Sequence, residues 1–216
     1  DSLLTHNKYS MNELIKQYNV DKSKIIHHLF PPMRTVFTPV EFNYKTIDYL
    51  FTGWLRPEKG IDILLDAWMS KDRIDLDKKL YLVGKLSVFN DLGYTEEELF
   101  KRHVIVINEF VSDKELAELM ASAKYLILPY KQGTNSGFPI MAIQNNCIPI
   151  VSDLEMFQEM DYLSKECFFE SNNVKSLISK FNELDRKDIE LKKLKRQVEK
   201  YKEKFKLSVR ETYAQN

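Results

Sequence analysis

From residue 46 onward the chain alternates short apolar runs with helical patterns. "TIDYLFTG" (46–53) is followed by an amphipathic stretch at 60–70 and then by "KLYLVG" (79–84). "TEEELFKRH" (95–103) precedes "VIVINEF" (104–110), and "SDKELAELMASA" (112–123) precedes "YLILPY" (125–130). "SGFPIMAIQNN" (136–146) precedes "IPIVSD" (148–153), and "CFFE" (167–170) reads as a last, edge strand. The runs are apolar at consecutive positions, so both of their faces need cover. Strands separated by helices are crossover-connected and therefore parallel. The expectation is an α/β fold: a parallel sheet with helices on both faces. Ligands of such sheets lie at the carboxyl ends of the strands. Those ends are Gly53, Gly84, Asn108 to Phe110, Pro129-Tyr130 and Asp153.

Helix starts carry their own caps. Thr95 with Glu98, and Ser112 with Glu115, have capping-box spacing. Upstream, "SMNELIKQYNV" (10–20) predicts a helix capped by Ser10, with Glu13 in the box position. "KIIHHLF" (24–30) predicts a strand, and Pro31-Pro32 break the chain. Residues 32–45 have no clear period and read as an inter-domain connection. The expected division is a unit at 1–31, the connection, a sheet domain at 46–185 and a C-terminal helix at 186–216. In that helix Leu191, Leu194, Val198, Tyr201 and Phe205 form a narrow apolar stripe. It packs along its own or an adjoining domain, with a coiled-coil dimer as the alternative. The mixed-sign polar face is expected to be solvated.

Lys+Arg and Asp+Glu number 32 each, so no net charge draws the chain toward nucleic acid or anionic lipid. Nucleic acid is not an expected partner, and any phosphate binding must be local. Cys147 and Cys167 form no framework and read as reduced core thiols. No CxxC or tight His/Cys cluster is present, so a structural zinc is not expected. His27 and His28 are neighbours on a strand and point to opposite faces, which argues against a shared metal. No run approaches the roughly 18 apolar residues of a membrane span. No signal peptide is visible, and the expected location is cytoplasmic. The chain opens "DSLLTHNKYS", with Asp and not Met, and reads as a fragment beginning inside a structural unit.

Two turns carry anion chemistry. In Gly53-Trp54-Leu55-Arg56-Pro57-Glu58-Lys59-Gly60, Gly53 turns the chain off its strand and Lys59 stands just before a helix. Free backbone N–H groups and a cation there suit a diphosphate. A surface lysine before a helix is common, so this pattern alone leaves phosphate binding open. In "LPYKQGTNSGFPIMA" (128–142) a polar loop from Lys131 to Gly137 ends at a second helix start. Ser136 would cap that helix and Gly137 would admit a close ligand; an ordinary capped helix is the other reading. Two such starts on one sheet suggest a nucleotide diphosphate with something attached. GxxxxGK[ST] and GxGxxG are both absent, which argues against NTPase and NAD readings.

The order of these pieces resembles the C-terminal, donor-binding domain of a GT-B-fold glycosyltransferase, most like family 4, the retaining group-1 glycosyltransferases. The family's "G-R-L-x-x-x-K-G" is matched by Gly53-Trp54-Leu55 with Lys59-Gly60, and its "L-x-I-x-G" by "LYLVG" (80–84). "VINEFVSDKEL" (106–116), "AKYLILPY" (123–130) and "CIPIVSD" (147–153) match its later motifs in order. The likeness covers about residues 46–185. It implies a Rossmann-like donor domain with a long C-terminal helix, and it makes residues 1–31 the remnant of an N-terminal acceptor domain. That missing domain would be a partner, and the route of any peripheral membrane association. The C-terminal helix would return to it.

The resemblance implies a UDP-, GDP- or ADP-sugar as substrate, retaining transfer in polysaccharide or glycoconjugate synthesis, and no cofactor or metal. It implies that Gly53, Arg56, Lys59, Ser136 and Gly137 hold the donor diphosphate. Thr134 and Asn135 would hold the donor sugar, and Asn108, Glu109 and Phe110 the nucleotide base. Lys59 and the helix starts would stabilise charge on the departing diphosphate. The departures are specific. Trp54 replaces the family's phosphate-binding arginine, with Arg56 two residues on. The E-x7-E pair falls at Thr134 and Ala142, and Glu109 replaces a glycine. The loop instead looks like a "P-Y-x-x-x-T-x-S-G" sub-branch. No catalytic base or nucleophile is assigned, and Glu155 reads as a surface carboxylate. A non-catalytic GT-B-like scaffold or partner subunit is the alternative. A sugar-nucleotide epimerase of the same fold would need carboxylates and His around the cleft, which this segment does not show.

Overall fold

The structure is a computed structural model. It describes residues 2–31, 41–53, 56–85, 93–187 and 189–214. The side chains of residues 43, 208, 209 and 211–214 lie outside that description, as do Trp54, Leu55 and most of the expected connection (32–40).

The strands are β1 (Leu3–Thr5), β2 (Ile25–His27), β3 (Ile47–Thr52), β4 (Leu80–Val83), β5 (Val104–Ile107), β6 (Ala123–Leu128), β7 (Ile148–Ser152) and β8 (Phe168–Phe169). The helices are α1 (Lys8–Tyr18), α2 (Ile61–Met69), α3 (Glu96–Lys101), α4 (Asp113–Ser122), α5 (Phe138–Gln144), α6 (Glu155–Gln158), α7 (Val174–Leu184) and α8 (Leu191–Ala214). Strands β3 to β8 form one parallel sheet in the order β5-β4-β3-β6-β7-β8. The expected Rossmann-like α/β class is therefore observed, with β8 at an edge as its short sequence suggested.

Tyr49, Leu50 and Phe51 of β3 are consecutive and all buried. Successive strand residues face opposite sides, so both faces of the sheet are covered. On the Tyr49 side, Trp68 of α2 and Phe181 of α7 meet its ring edge-on at 5.3 and 5.1 Å. On the other side α5 supplies Ile140, Ala142 and Ile143, and α8 supplies Leu194, Val198 and Tyr201. Burial of each large apolar side chain contributes about 1.5–3 kcal/mol before conformational entropy is counted. The α8 stripe thus packs on its own domain. Tyr201 also donates its hydroxyl to the Phe30 carbonyl at 2.8 Å, joining α8 to the N-terminal segment.

The N-terminal segment is a small unit of its own. Strands β1 and β2 pair in parallel, with Leu3 opposite Ile25, and α1 connects them. Helix α1 begins earlier than the sequence pattern predicts. Its cap is Asn7, which accepts from the Ser10 amide at 2.7 Å, so Ser10 is not the cap. The capping boxes at Thr95/Glu98 and Ser112/Glu115 are both formed. Among the described residues no helix is long and apolar enough to cross a membrane. Both cysteines are buried free thiols, and burial raises Cys147 to about 12 and Cys167 to about 11.

Lys45 is a buried cation placed at two helix ends. Its Nζ donates to Ala121 O at 2.5 Å, Asn145 O at 3.3 Å and Met120 O at 3.4 Å. These are final-turn and C-cap carbonyls of α4 and α5, which want donors and positive charge. Burial lowers its pKa to about 8. The unfolded chain then binds one proton more than the native state between about pH 8 and the ordinary 10.5. This contribution to stability is full above that window and lost as pH falls through 8. Lys45→Met is expected to cost about 1–3 kcal/mol at neutral pH, because buried carbonyls lose their donor. The margin of the parent over the variant should widen from pH 8 to 10 in denaturant titrations; a flat margin would contradict this account.

Candidate functional site

The strand order reverses between β3 and β6. The chain leaves β3 toward β4 on one side and leaves β6 toward β7 on the other, which opens a crevice at their carboxyl ends. The two predicted anion turns are the two connections at this point. They are fastened together: the Lys131 amide donates to the Glu58 carbonyl at 2.9 Å. The Gly60 Cα is so close to Pro129 that a β-carbon there would fall 1.8 Å from the Pro129 carbonyl oxygen. A β-carbon on Gly53 would meet the Phe138 ring at 3.2 Å, so the end of β3 also abuts the start of α5.

Lys59 is half-buried in a short 3-10 turn (Pro57–Lys59) directly before α2. Its Nζ lies 3.8 Å from the centre of the Tyr130 ring. The ring face attracts the ammonium and holds it against the loop after β6. Burial lowers the Lys59 pKa, Glu58 partly offsets this, and Arg56 adds to it. Burial also raises the Tyr130 phenol to about 12, so this ring stays neutral. Arg56 is exposed, with its guanidinium 3.8 Å from Glu58.

Across the crevice, Ser136 Oγ accepts from the Phe138 amide at 3.4 Å, and α5 begins at Phe138. The helix therefore starts two residues later than the sequence pattern placed it, with Gly137 in the cap position and Pro139 in the first turn. The Asn135 side chain accepts from the Ser136 amide at 2.8 Å. The Thr134 carbonyl is engaged by the N-terminal unit, through Asn7 Nδ2 at 2.6 Å and Ser10 Oγ at 3.1 Å. Ala142, where the family has a carboxylate, is fully buried in the core. Asn108, Glu109 and Phe110 are exposed at the carboxyl end of β5. Two strand spacings, about 10 Å, separate that edge strand from β3. The structure thus brings Gly53, Lys59, Ser136 and Gly137 to the joined turns at the carboxyl ends of β3 and β6, and leaves Asn108 to Phe110 on the same edge of the sheet further out; the space expected to admit a ligand at Gly137 is taken by the Phe30 ring, 2.9 Å from where a β-carbon would stand. Asp153 is occupied structurally, accepting from the Ser171 amide at 2.7 Å, and Glu155 is exposed.

Three residues that no motif marked stand beside this crevice: His6, His27 and Glu159. They line a cleft of about 280 Å³ between the N-terminal unit and the sheet domain, with Asn135 in the same wall. Glu159 follows α6 and accepts from the Lys8 and Tyr9 amides, one on each carboxylate oxygen, both at 2.7 Å. It thereby meets the unpaired first-turn amides of α1. His28 packs edge-on against His6 at 4.9 Å and Phe205 at 6.1 Å. Among the described residues no group of three or more His, Cys, Asp or Glu is placed to hold a metal ion.

A family model described as glycosyl transferases group 1 matches residues 34–205. Among solved structures, a TarM mutant from S. aureus, in complex with fondaparinux, α-GlcNAc-glycerol and UDP, is 15% identical with a TM-score of 0.78. That match covers 99% of this chain and 43% of that one. Sucrose-phosphate synthase from Thermosynechococcus elongatus is 16% identical with a TM-score of 0.74, covering 100% of this chain and 58% of that one. A glycosyltransferase from Rickettsia africae is 15% identical with a TM-score of 0.72, covering 99% and 62%. The chain spans less than two thirds of each of these three proteins. At such identities the likeness is one of fold. No curated protein matches the chain.

Proposed function

We propose, because this chain belongs to the group 1 glycosyl transferases, that it is the donor half of a retaining glycosyl-transfer site and binds a nucleotide-diphosphate sugar. The observation that carries this reading is the joining of the two turns: Lys59 on the Tyr130 ring, and the Lys131 amide on the Glu58 carbonyl. They present a cation and the start of α5 to one crevice, where a diphosphate would lie. Negative charge grows on that diphosphate as the glycosidic bond breaks, and Lys59 with the α5 start would stabilise it. The reading calls on no metal ion. Gly53, Arg56, Ser136 and Gly137 border the diphosphate, Thr134 and Asn135 the sugar, and Asn108 to Phe110 the base.

Acceptor choice is assigned to an N-terminal domain that completes the cleft, of which residues 1–31 would be part, and transfer needs both. The broader setting is polysaccharide or glycoconjugate synthesis in the cytoplasm. The TarM neighbour, whose structure contains UDP, supports a uridine nucleotide as the first to try.

Calorimetric titration with UDP, GDP and ADP, beside Lys59→Ala, tests the reading. One nucleotide should bind saturably, and the variant should weaken it about tenfold or more, as loss of a charge-assisted contact does. A folded chain that binds none of the three would contradict the donor reading. The second reading, a non-catalytic partner subunit, is favoured by Thr134 and Ala142 standing where carboxylates would be.

A further inference from the structure

We propose that the free edge of β5 is the contact face of a homodimer, in which the β5 strands of two chains pair antiparallel across a two-fold axis and join two sheets into one. The proposal does not rest on the donor reading. Its first support is the ladder. The Leu80 amide donates to the His103 carbonyl at 3.1 Å, and the Gly84 amide to the Ile107 carbonyl at 3.0 Å. His103, Ile105 and Ile107 therefore turn their backbone groups toward β4. Direction alternates along a strand, so Val104 and Val106 turn their N–H and C=O groups outward. β5 stands at the end of the sheet order, and no described strand pairs with that side of it.

The second support is what this edge lacks. Edge strands are kept from pairing by shortness, a charge, a proline or a bulge. The opposite edge is blunted by shortness, because β8 has two residues. β5 has four, Val-Ile-Val-Ile, all β-branched and none charged. Ile105, Val106 and Ile107 are only half-buried, whereas every residue of β7 is buried. Beside the strand, α3 walls an open groove of about 920 Å³, whose lining includes Glu96, Glu97, Phe100, Val104, Val106 and Asn108. Phe100 is 80% exposed. A covering strand and helix would satisfy the outward ladder groups and take this ring out of water.

The third support is charge, and it identifies the occupant as a second copy. Helix α3 is charged in opposite senses at its two ends. Glu96, Glu97 and Glu98 open it, Lys101 closes it and His103 follows, all of them exposed. α3 links the parallel strands β4 and β5, so it runs antiparallel to β5. A two-fold axis perpendicular to the sheet at Ile105 sets Val104 opposite the partner's Val106, and each such pair exchanges both of its hydrogen bonds. The same axis lays the two α3 helices side by side and antiparallel, on one face of the joined sheet. The acidic start of each then meets the Lys101 end of the other, and the two Phe100 rings are covered between them. Parallel pairing would put the helices on opposite faces and leave Phe100 in water. A contact of this isologous kind closes at two chains.

Sedimentation equilibrium tests this. The apparent mass should rise with concentration toward that of two chains. Phe100→Asp changes an exposed residue, and Val106→Pro removes one outward amide on an edge strand, where proline is tolerated. Each should weaken association about tenfold or more, and thermal unfolding checks that the fold survives. Glu97→Lys and Lys101→Glu each set like charges against one another at the α3 contact. Symmetry repeats that contact, so each should weaken association about tenfold. The two changes together should restore it. The exposed Glu97–Lys101 pair within one chain, at 2.6 Å, is present in monomer and dimer alike and does not move the equilibrium. A mass of one chain up to about 1 mM would overturn the proposal and leave the edge to a partner of different sequence. Dimers indifferent to both Phe100→Asp and Val106→Pro would overturn it as well, because they would use another face. So would a double charge variant no better than the single ones, because the two α3 helices would then not lie antiparallel.

Discussion

Gly60→Ala is expected to cost about 3 kcal/mol or more and to abolish nucleotide binding. Two effects add. Gly60 has φ of 68°, a left-handed conformation that costs an L-residue about 1–2 kcal/mol. The new methyl would also sit 1.8 Å from the Pro129 carbonyl oxygen and 2.9 Å from its carbon. Those atoms are backbone and no rotamer relieves the clash, so the turn after β3 must move away from the loop after β6. That motion breaks the Lys131–Glu58 bond and lifts Lys59 off Tyr130. For a chain of this size the midpoint should fall by roughly 6–12 °C. Gly93→Ala is the control. Gly93 has φ of 74°, and a β-carbon there would meet nothing within 4 Å. It should show the strain alone, about 1–2 kcal/mol, with nucleotide affinity intact. Equal effects of the two substitutions on affinity would mean that the Gly60–Pro129 contact does not hold the site together.

The parts of this molecule legible from sequence are those whose causes are local. Burial on both faces leaves the strands as unbroken apolar runs, so β3, β4, β6 and β7 announce themselves. The capping boxes are spacings of three residues, and both formed. Lys59 could be picked out because its turn, strand and helix are contiguous. The misplaced cap shows where local reasoning fails. Asn7 and Ser10 are both good cap residues three positions apart, and the choice rests on Glu159, 152 positions beyond Asn7, taking the Lys8 and Tyr9 amides. The cleft was invisible for the same reason. His6, His27 and Glu159 meet only after β1 pairs with β2 and α1 docks on the sheet domain, and no spacing encodes that. Ser136 is the cap that the sequence suggests for α5, but Gly137 takes the cap position and the helix starts at Phe138, with Pro139 in its first turn.

Asp185→Ala is expected to destabilise the chain by about 3–5 kcal/mol while leaving the nucleotide affinity of the folded fraction unchanged. Asp185 follows α7, and its carboxylate lies 3.3 Å from the Arg73 guanidinium. The two side chains are 2% and 1% exposed. Tyr49 donates its hydroxyl to the other carboxylate oxygen at 2.7 Å. Arg73 also lies over the Trp68 ring at 3.7 Å. Burial raises the Asp185 pKa, with Tyr49 and Arg73 opposing, and burial lowers that of Arg73, with Asp185 opposing. Desolvation therefore outweighs the mutual attraction, and the pair is costly to bury even when complete. Removing the carboxylate alone leaves a buried cation and a buried phenol without their acceptor, which is worse. Replacing all three together, as Arg73→Met, Asp185→Leu and Tyr49→Phe, should recover most of the loss. Functional independence follows from topology. Tyr49 lies early in β3, away from the carboxyl end where Gly53 turns toward the crevice. Denaturant titration should show the large loss for Asp185→Ala and a smaller one for the triple variant. If the triple variant is as unstable as the single one, the unpaired charge is not the cause. If Asp185→Ala alters nucleotide affinity in a folded sample, the network reaches the crevice, and the separation of stability from binding argued from the sheet geometry is wrong.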